Sequence, residues 1–256
     1  MTQQNLTKPK KKITWQISTS YITKIAILTA LSFILYSYIK FPLPMIFPAF
    51  LDVQISELPA LLAGFAIGPV SGCIVIILKC LIKLPFTSTA YAGEITDIIL
   101  GIAFVLPASL IYKHKKSMKT AAIGITVGAI IATGAAVLTN RYISIPVFLN
   151  LFFENDWNRL LNMVRPVYKD VTRETFYAWY LGAGIVPFNL LRYLIVGSIT
   201  FLVYKKLSKA LHWDGSNLGH KKETKKEIVE TKPEVVTDAN TSKEQIIDKA
   251  TTEQIK

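Results

Sequence analysis

Asn189 and Arg192 stand three residues apart in an apolar stretch late in the chain. On a helix they share one face. An amide donates and accepts, and a guanidinium donates through a planar fork. Together they can address a planar heterocycle carrying carbonyl and ring-nitrogen groups, or equally make an interhelical hydrogen bond. Asn140 and Arg141 close another apolar run with the same pair of chemistries. Glu94 and Asp97 also share a helical face. They can cap a helix start, where the helix dipole favours negative charge, or act as acid and base in a membrane enzyme. Lys79 lies deep in an apolar run, where it either snorkels to the interface or has a functional partner. Lys24, Lys83 and Glu57 lie near run ends, where snorkelling accounts for them.

Catalytic signatures are missing. The chain has no G-x-S-x-G, no H-E-x-x-H and no G-x-x-x-x-G-K-[ST]. With no P-loop, any use of ATP belongs to a partner. Cys73 and Cys80 are seven residues apart in one run, about 10 Å along a helix, too far for a disulfide. They read as packing residues. No cysteine or histidine spacing suits a metal, and no cofactor is expected.

The elements that must position these residues follow from composition. The chain has 256 residues, 51% of them hydrophobic, with 29 Lys+Arg against 17 Asp+Glu. Mean hydropathy is +0.38 even with a long polar tail included. A single span needs about 20 mostly apolar residues, so the hydropathy points to one all-α membrane bundle. Residues 214–256 hold eight Lys and nine acids and are nearly balanced. The basic surplus gathers in Lys8, Lys10, Lys11 and Lys12, in Lys113, Lys115, Lys116 and Lys119, and in Lys205, Lys206 and Lys209. Clusters beside apolar runs read as cytoplasmic flanks; they bracket spans and form no nucleic-acid module. The N-terminal apolar run lacks a small-x-small cleavage site and does not read as a cleavable signal.

Spans are expected at about 21–40, 94–112, 120–143 and 180–204. Residues 57–84 form one helix or two short ones broken at Gly68-Pro69, since proline lacks a donor and disfavours helix before it. Two helices put every basic cluster on one side. Six transmembrane helices with both termini cytoplasmic therefore follow from the charge pattern. Splitting residues 53–84 leaves about 24 Å for each, so the two short helices must tilt, thin the bilayer or reach only part way. The domain plan is a basic cytoplasmic N-terminus (1–19), a six-helix membrane domain (20–208) and a charged, disordered cytoplasmic tail (209–256). Residues 41–56 include an alternating stretch that suits extended structure. Residues 85–93 form a short Thr/Ser-rich loop. Residues 144–179 mix aromatic and charged residues, as in an interfacial amphipathic helix or a lid. Ala26 and Ala30 lie one turn apart, as do Gly124, Gly128 and Ala132. Each set serves internal packing or forms a docking face for another membrane subunit.

Three stretches carry a family resemblance. They are Phe41-Pro-Leu-Pro44 with Leu51-Asp-Val-Gln-Ile-Ser-Glu-Leu-Pro59 running on to Gly68-Pro69, then Gly93-Glu-Ile-Thr-Asp97 running on to Pro107, and Pro187-Phe-Asn-Leu-Leu-Arg192. Over residues 20–208 the sequence resembles the substrate-binding (S) components of energy-coupling factor (ECF) transporters. It is most similar to the riboflavin-specific members. The resemblance implies six helices and a vitamin pocket in the outer half, covered by the loop after span one. It implies a protein of the bacterial cell membrane that does no covalent chemistry. Its partners would be a transmembrane coupling (T) subunit and two ATPases, and riboflavin would be its transported ligand. In riboflavin-type members an Asn late in span five and an Asn-x-x-Lys pair in span six hold the flavin ring. Asn140 and Asn189 match those positions, and Arg192 stands where Lys is usual. Arg141 where an aromatic is usual, and the long loop before span six, are further departures. Ala26 and Ala30 match the docking motif for the coupling subunit. An S component for another vitamin or small metabolite is the alternative within the class. Asn189→Ala is expected to weaken binding more than Lys79→Ala.

Overall fold

A computed structural model describes residues 18–48 and 50–211, with side chains as far as Val203. Most of segments 1–19 and 209–256 falls outside these residues.

Helix α1 (Thr19–Tyr38) starts where the Ser18 side chain accepts from the Tyr21 amide. It buries Ile25, Leu28, Thr29 and Ser32 and leaves Ile22, Ile27 and Ile34 exposed to the membrane. Strands β1 (Lys40–Pro42) and β2 (Asp52–Gln54) then pair antiparallel, Phe41 opposite Val53. The alternating stretch is thus extended, with Val53 buried and its neighbours half-buried.

The chain does break at Gly68-Pro69. Helix α2 (Glu57–Ala66) ends before Gly68, whose φ of 148° suits glycine alone. Pro69 opens α3 (Pro69–Lys83). Ten residues make α2 about 15 Å long, shorter than expected. Every residue from Glu57 to Phe65 is buried, so α2 is walled by protein. Among the described residues five helical stretches are long and apolar enough to cross a membrane: Thr19–Tyr38, Pro69–Phe86, Ala92–His114, Met118–Leu151 and Ala178–Val203.

Helices α4 (Ala92–His114) and α5 (Met118–Thr139) form a hairpin, with a Ser117/Thr120 capping box starting α5. A Cβ on Gly124 would lie 2.6 Å from the Ala108 carbonyl oxygen, and one on Gly128 2.5 Å from that of Phe104. Ala132 is fully buried. The Gly124/Gly128/Ala132 stripe is therefore the seam of α4 against α5, as small-residue packing in lipid requires, and is closed to an outside partner.

Beyond α5 the structure departs from the expected end of the span. The helix widens into a π-helical turn at Asn140–Ser144 and continues as α6 (Ile145–Leu151). A second π-helical segment, Ala178–Ile185, leads into α8 (Val186–Leu211). Each wide segment ends two residues before a proline, Pro146 or Pro187. A proline ring collides with the carbonyl four residues back in a normal α-turn. The wider turn removes that collision without ending the helix.

Between these segments lies α7 (Trp157–Val164), capped by Asp156 accepting from the Asn158 amide. Leu160, Leu161 and Val164 are buried against Phe176, Tyr180 and Ile185. Its apolar face therefore turns inward, which suits a lid rather than a helix lying in lipid.

Candidate functional site

A cavity of about 620 Å³ opens where α4, α5, α6 and α8 meet the β1–β2 hairpin. Its size and mixed lining are those of a small-molecule site. Asn140, Asn189 and Arg192 all line it. The three residues singled out in sequence are brought to one cavity, from the end of α5 and the first turns of α8.

The π-helical segments place two of the polar groups. Asn140 Nδ2 donates to the Ala136 carbonyl (2.8 Å), and its Oδ1 accepts from the Tyr180 hydroxyl (3.0 Å). Asn140 and Tyr180 belong to different wide turns, so this bond joins the two. Asn189 Nδ2 donates to the Ile185 carbonyl (2.9 Å), while its buried Oδ1 has no partner among the described residues. A buried amide oxygen in that state is costly unless something donates to it.

Arg192 is anchored by two carboxylates. Nη2 donates to Asp97 Oδ1 (3.0 Å) and makes a close contact with Glu57 Oε1. Lys79 Nζ lies 2.8 Å from Asp97 Oδ2 and 3.6 Å from Glu57 Oε1, and donates to Ser56 Oγ (2.7 Å). The Tyr36 ring sits 5.0 Å from the ammonium. Lys79 and Glu57 are wholly buried. Two cations and two anions from α2, α3, α4 and α8 thus form one closed, neutral cluster. Neutrality is what a low-dielectric interior demands, since an unpaired charge there is expensive.

One sequence reading is corrected here, and two that were open are decided. Glu57 does not snorkel, because α2 is enclosed and its carboxylate is held by Arg192 and Lys79. Lys79 does not snorkel either. Its head group lies in the cluster, so it does not line the cavity. Glu94 and Asp97 part company. Glu94 Oε2 accepts from Thr87 and Thr89 (2.9 Å each), which fastens the 85–93 loop to the first turn of α4. Asp97 joins the cluster and borders the cavity. With both carboxylates committed to these partners, the pair does not form an acid–base couple, and the membrane-enzyme alternative is set aside.

Much of the remaining lining is aromatic. Phe148 and Phe152 come from α6 and the residue after it, and Phe50, Tyr180 and Phe188 come from the hairpin connection and the α8 approach. Phe47 meets Phe188 edge-on at 5.3 Å, and Tyr180 stacks on Phe176 at 5.2 Å. The loop after α1 therefore covers only part of the cavity, and α6–α7 supply the rest through Phe153, Leu160 and Met163. Arg141, exposed, stacks 3.7 Å over the Tyr177 ring rather than entering the cavity. Tyr168 stacks on Trp179 nearby, and burial raises its hydroxyl pKa above the usual tyrosine value. The cavity thus combines aromatic rings with amide and guanidinium groups.

The sequence reading missed Glu57, Gln54 and Tyr180 as parts of this region. Only Glu57 gave a signal, as an acid at the start of an apolar run. Ala26 and Ala30 are both exposed on α1, away from its buried face and from the cavity. Among the described residues no group of three or more His, Cys, Asp or Glu could hold a metal ion.

Comparison with known proteins gives consistent matches. Residues 20–204 match the family model described as ECF transporter, substrate-specific component. The riboflavin transporter RibU of Staphylococcus aureus is 29% identical over 202 residues, covering 79% of this chain and 97% of the relative. RibU of Streptococcus thermophilus is 32% identical over 200 residues, covering 76% and 85%. The riboflavin transporter FmnP of Bacillus subtilis is 24% identical, covering 72% and 89%. A solved structure of the S component of a bacterial ECF transporter superposes with a TM-score of 0.57 at 28% identity, covering 75% of this chain and 97% of that one.

Proposed function

The chain belongs to the family of ECF transporter substrate-specific components, and on that premise we propose that its cavity captures riboflavin or a related flavin for import. It is a transport component of a membrane, not an enzyme. The observation that carries the flavin reading is the Asn189 carboxamide. It lines the cavity with Arg192 and has an unpartnered Oδ1 among the described residues, in a cavity also lined by aromatic rings. The imide N–H and ring carbonyls of an isoalloxazine complement that set of acceptor and donors, and its plane matches the rings. The named transporters of Staphylococcus, Streptococcus and Bacillus support the same ligand.

The topology follows from the basic clusters. Six helices cross or enter the bacterial plasma membrane, α2 part way and α3 in full, with both termini cytoplasmic. The domain plan keeps the membrane unit at 20–208, flanked by a basic N-terminal segment and a charged C-terminal segment. The cavity faces outward, and Asn140, Asn189 and Arg192 hold the flavin ring. The exposed Ala26/Ala30 face docks on a transmembrane coupling subunit. ATP hydrolysis by two partner ATPases then reorients this subunit, and the vitamin leaves on the inside.

The test is an absorption and fluorescence spectrum of protein purified in mild detergent, with mass spectrometry of any extracted ligand. A flavin-bearing preparation, or quenching of added riboflavin fluorescence, is the expected result. Asn189→Ala should weaken riboflavin binding by about tenfold, the loss of one hydrogen bond in a dry site, and by more than Lys79→Ala in protein that stays folded. A colourless preparation that does not quench riboflavin overturns the flavin assignment.

A further inference from the structure

The electrostatic character of the cavity is set partly by residues behind its wall. Its lining holds two cationic side chains, Arg192 and Lys40, and two carboxylates, Asp97 and Asp52. Lys40 is exposed on the hairpin at the rim and lies two places along the β1–β2 ladder from Asp52. Arg192 is the buried cation, and its Nη2 is given to Glu57 and Asp97. Lys79, the other cation of the cluster, lies outside the lining and is held by the same two carboxylates.

Arg192 therefore behaves in the cavity as a donor without surplus charge. Its buried Nε has no partner among the described residues, so hydrogen-bonding capacity remains while the positive charge is matched. A phosphate monoester carries about −1.5 to −2 charges at neutral pH. Leaving water for a cavity whose own charges cancel, inside a membrane bundle, penalises such an anion wherever its phosphate comes to rest.

We propose that Glu57 and Asp97 are specificity-determining residues that make the cavity select a neutral flavin over its phosphate ester, by neutralising Arg192 while leaving it able to donate. The proposal rests on the flavin reading above and deepens it. Asp97 touches the cavity, whereas Glu57 acts only through Arg192 and Lys79 and is a positioning residue.

The experiment is fluorescence-quenching titration of the purified full chain with riboflavin and with riboflavin 5′-phosphate. The two share one fluorophore, so the affinity ratio is read directly. The wild type should bind the phosphate ester at least about tenfold more weakly, the discrimination expected of an uncompensated anion. Asp97→Asn leaves the cluster with one surplus positive charge, and the ratio should shrink by about tenfold. Glu57→Gln should act in the same direction and serves if Asp97→Asn does not fold. Asp97→Glu, which keeps the charge, should keep the ratio. A change in packing alone moves both ligands together and leaves the ratio where it was. A wild type that binds both flavins equally, or a folded Asp97→Asn or Glu57→Gln protein with the wild-type ratio, overturns the proposal and leaves the flavin reading standing. A wild type that binds neither flavin overturns both.

Discussion

Lys79→Met tests whether the four-residue cluster holds the bundle together. Methionine matches the length of the lysine stem and lacks its charge. The replaced ammonium lies 2.8 Å from Asp97, 3.6 Å from Glu57 and 2.7 Å from Ser56 Oγ, with no solvent exposure. Without it, two buried carboxylates share Arg192, and the cluster carries one uncompensated negative charge. Removing one partner of a buried pair destabilises by about 3–5 kcal/mol. At about 2–4 °C per kcal/mol for a unit of this size, the melting temperature should fall by roughly 6–20 °C. The assay is thermal unfolding in detergent, followed by intrinsic fluorescence and by loss of monodisperse protein. Adding Glu57→Gln restores the charge balance, so the double variant should recover about half the loss or more. That non-additivity is the signature of direct coupling. A Lys79→Met shift under about 3 °C, or strictly additive effects in the double variant, would refute the reasoning, because either would mean the charges do not depend on one another.

Three further outcomes concern small residues on the helices. Gly128→Ala puts a Cβ 2.5 Å from the Phe104 carbonyl oxygen, so α4 and α5 must part. Overpacking of this kind costs about 1–3 kcal/mol, and Tm should drop by roughly 2–12 °C. Gly134→Ala, exposed on the same helix with nothing within 4 Å, should leave Tm unchanged or raise it slightly. Ala30→Leu fills the exposed face of α1 that we propose docks on the coupling subunit. Riboflavin binding should stay within about twofold of wild type, while uptake reconstituted with the coupling subunit and its ATPases should fall about tenfold or more. Unimpaired uptake would remove Ala30 from the docking face.

Several features were legible in the sequence because their causes are local. Gly68-Pro69 breaks a helix whatever surrounds it, and the structure breaks there. The alternation Phe50-Leu-Asp-Val-Gln-Ile-Ser56 yields a strand with Val53 inward. The i, i+3 spacing of Asn189 and Arg192 puts both on one side of α8, and both line the cavity. Small residues at four-residue intervals on α5 mark a close helix contact, although the spacing alone left open what makes it.

The charged cluster was not legible in the same way. Glu57 and Arg192 are 135 positions apart, and Asp97 and Arg192 are 95 apart. Within their own segments Glu57 and Asp97 look like helix-end or capping residues, and Arg192 like half of a ligand-binding or interhelical pair. Which carboxylate meets which cation depends on how α2, α3, α4 and α8 pack, and that depends on the whole set of seams. The wide turns before Pro146 and Pro187 are an intermediate case. A proline signals that the helix must adjust, but only the neighbouring helices decide whether it ends, kinks or widens. Here it widens twice, and the two wide turns bring Asn140 and Tyr180 within one hydrogen bond. The sequence by itself thus determined the elements, their faces and the membrane they suit, through short-range sterics and the cost of burying polar groups. The tertiary structure decided the pairing of buried charges and the shape of the cavity, because those are sums over contacts between segments far apart in the chain.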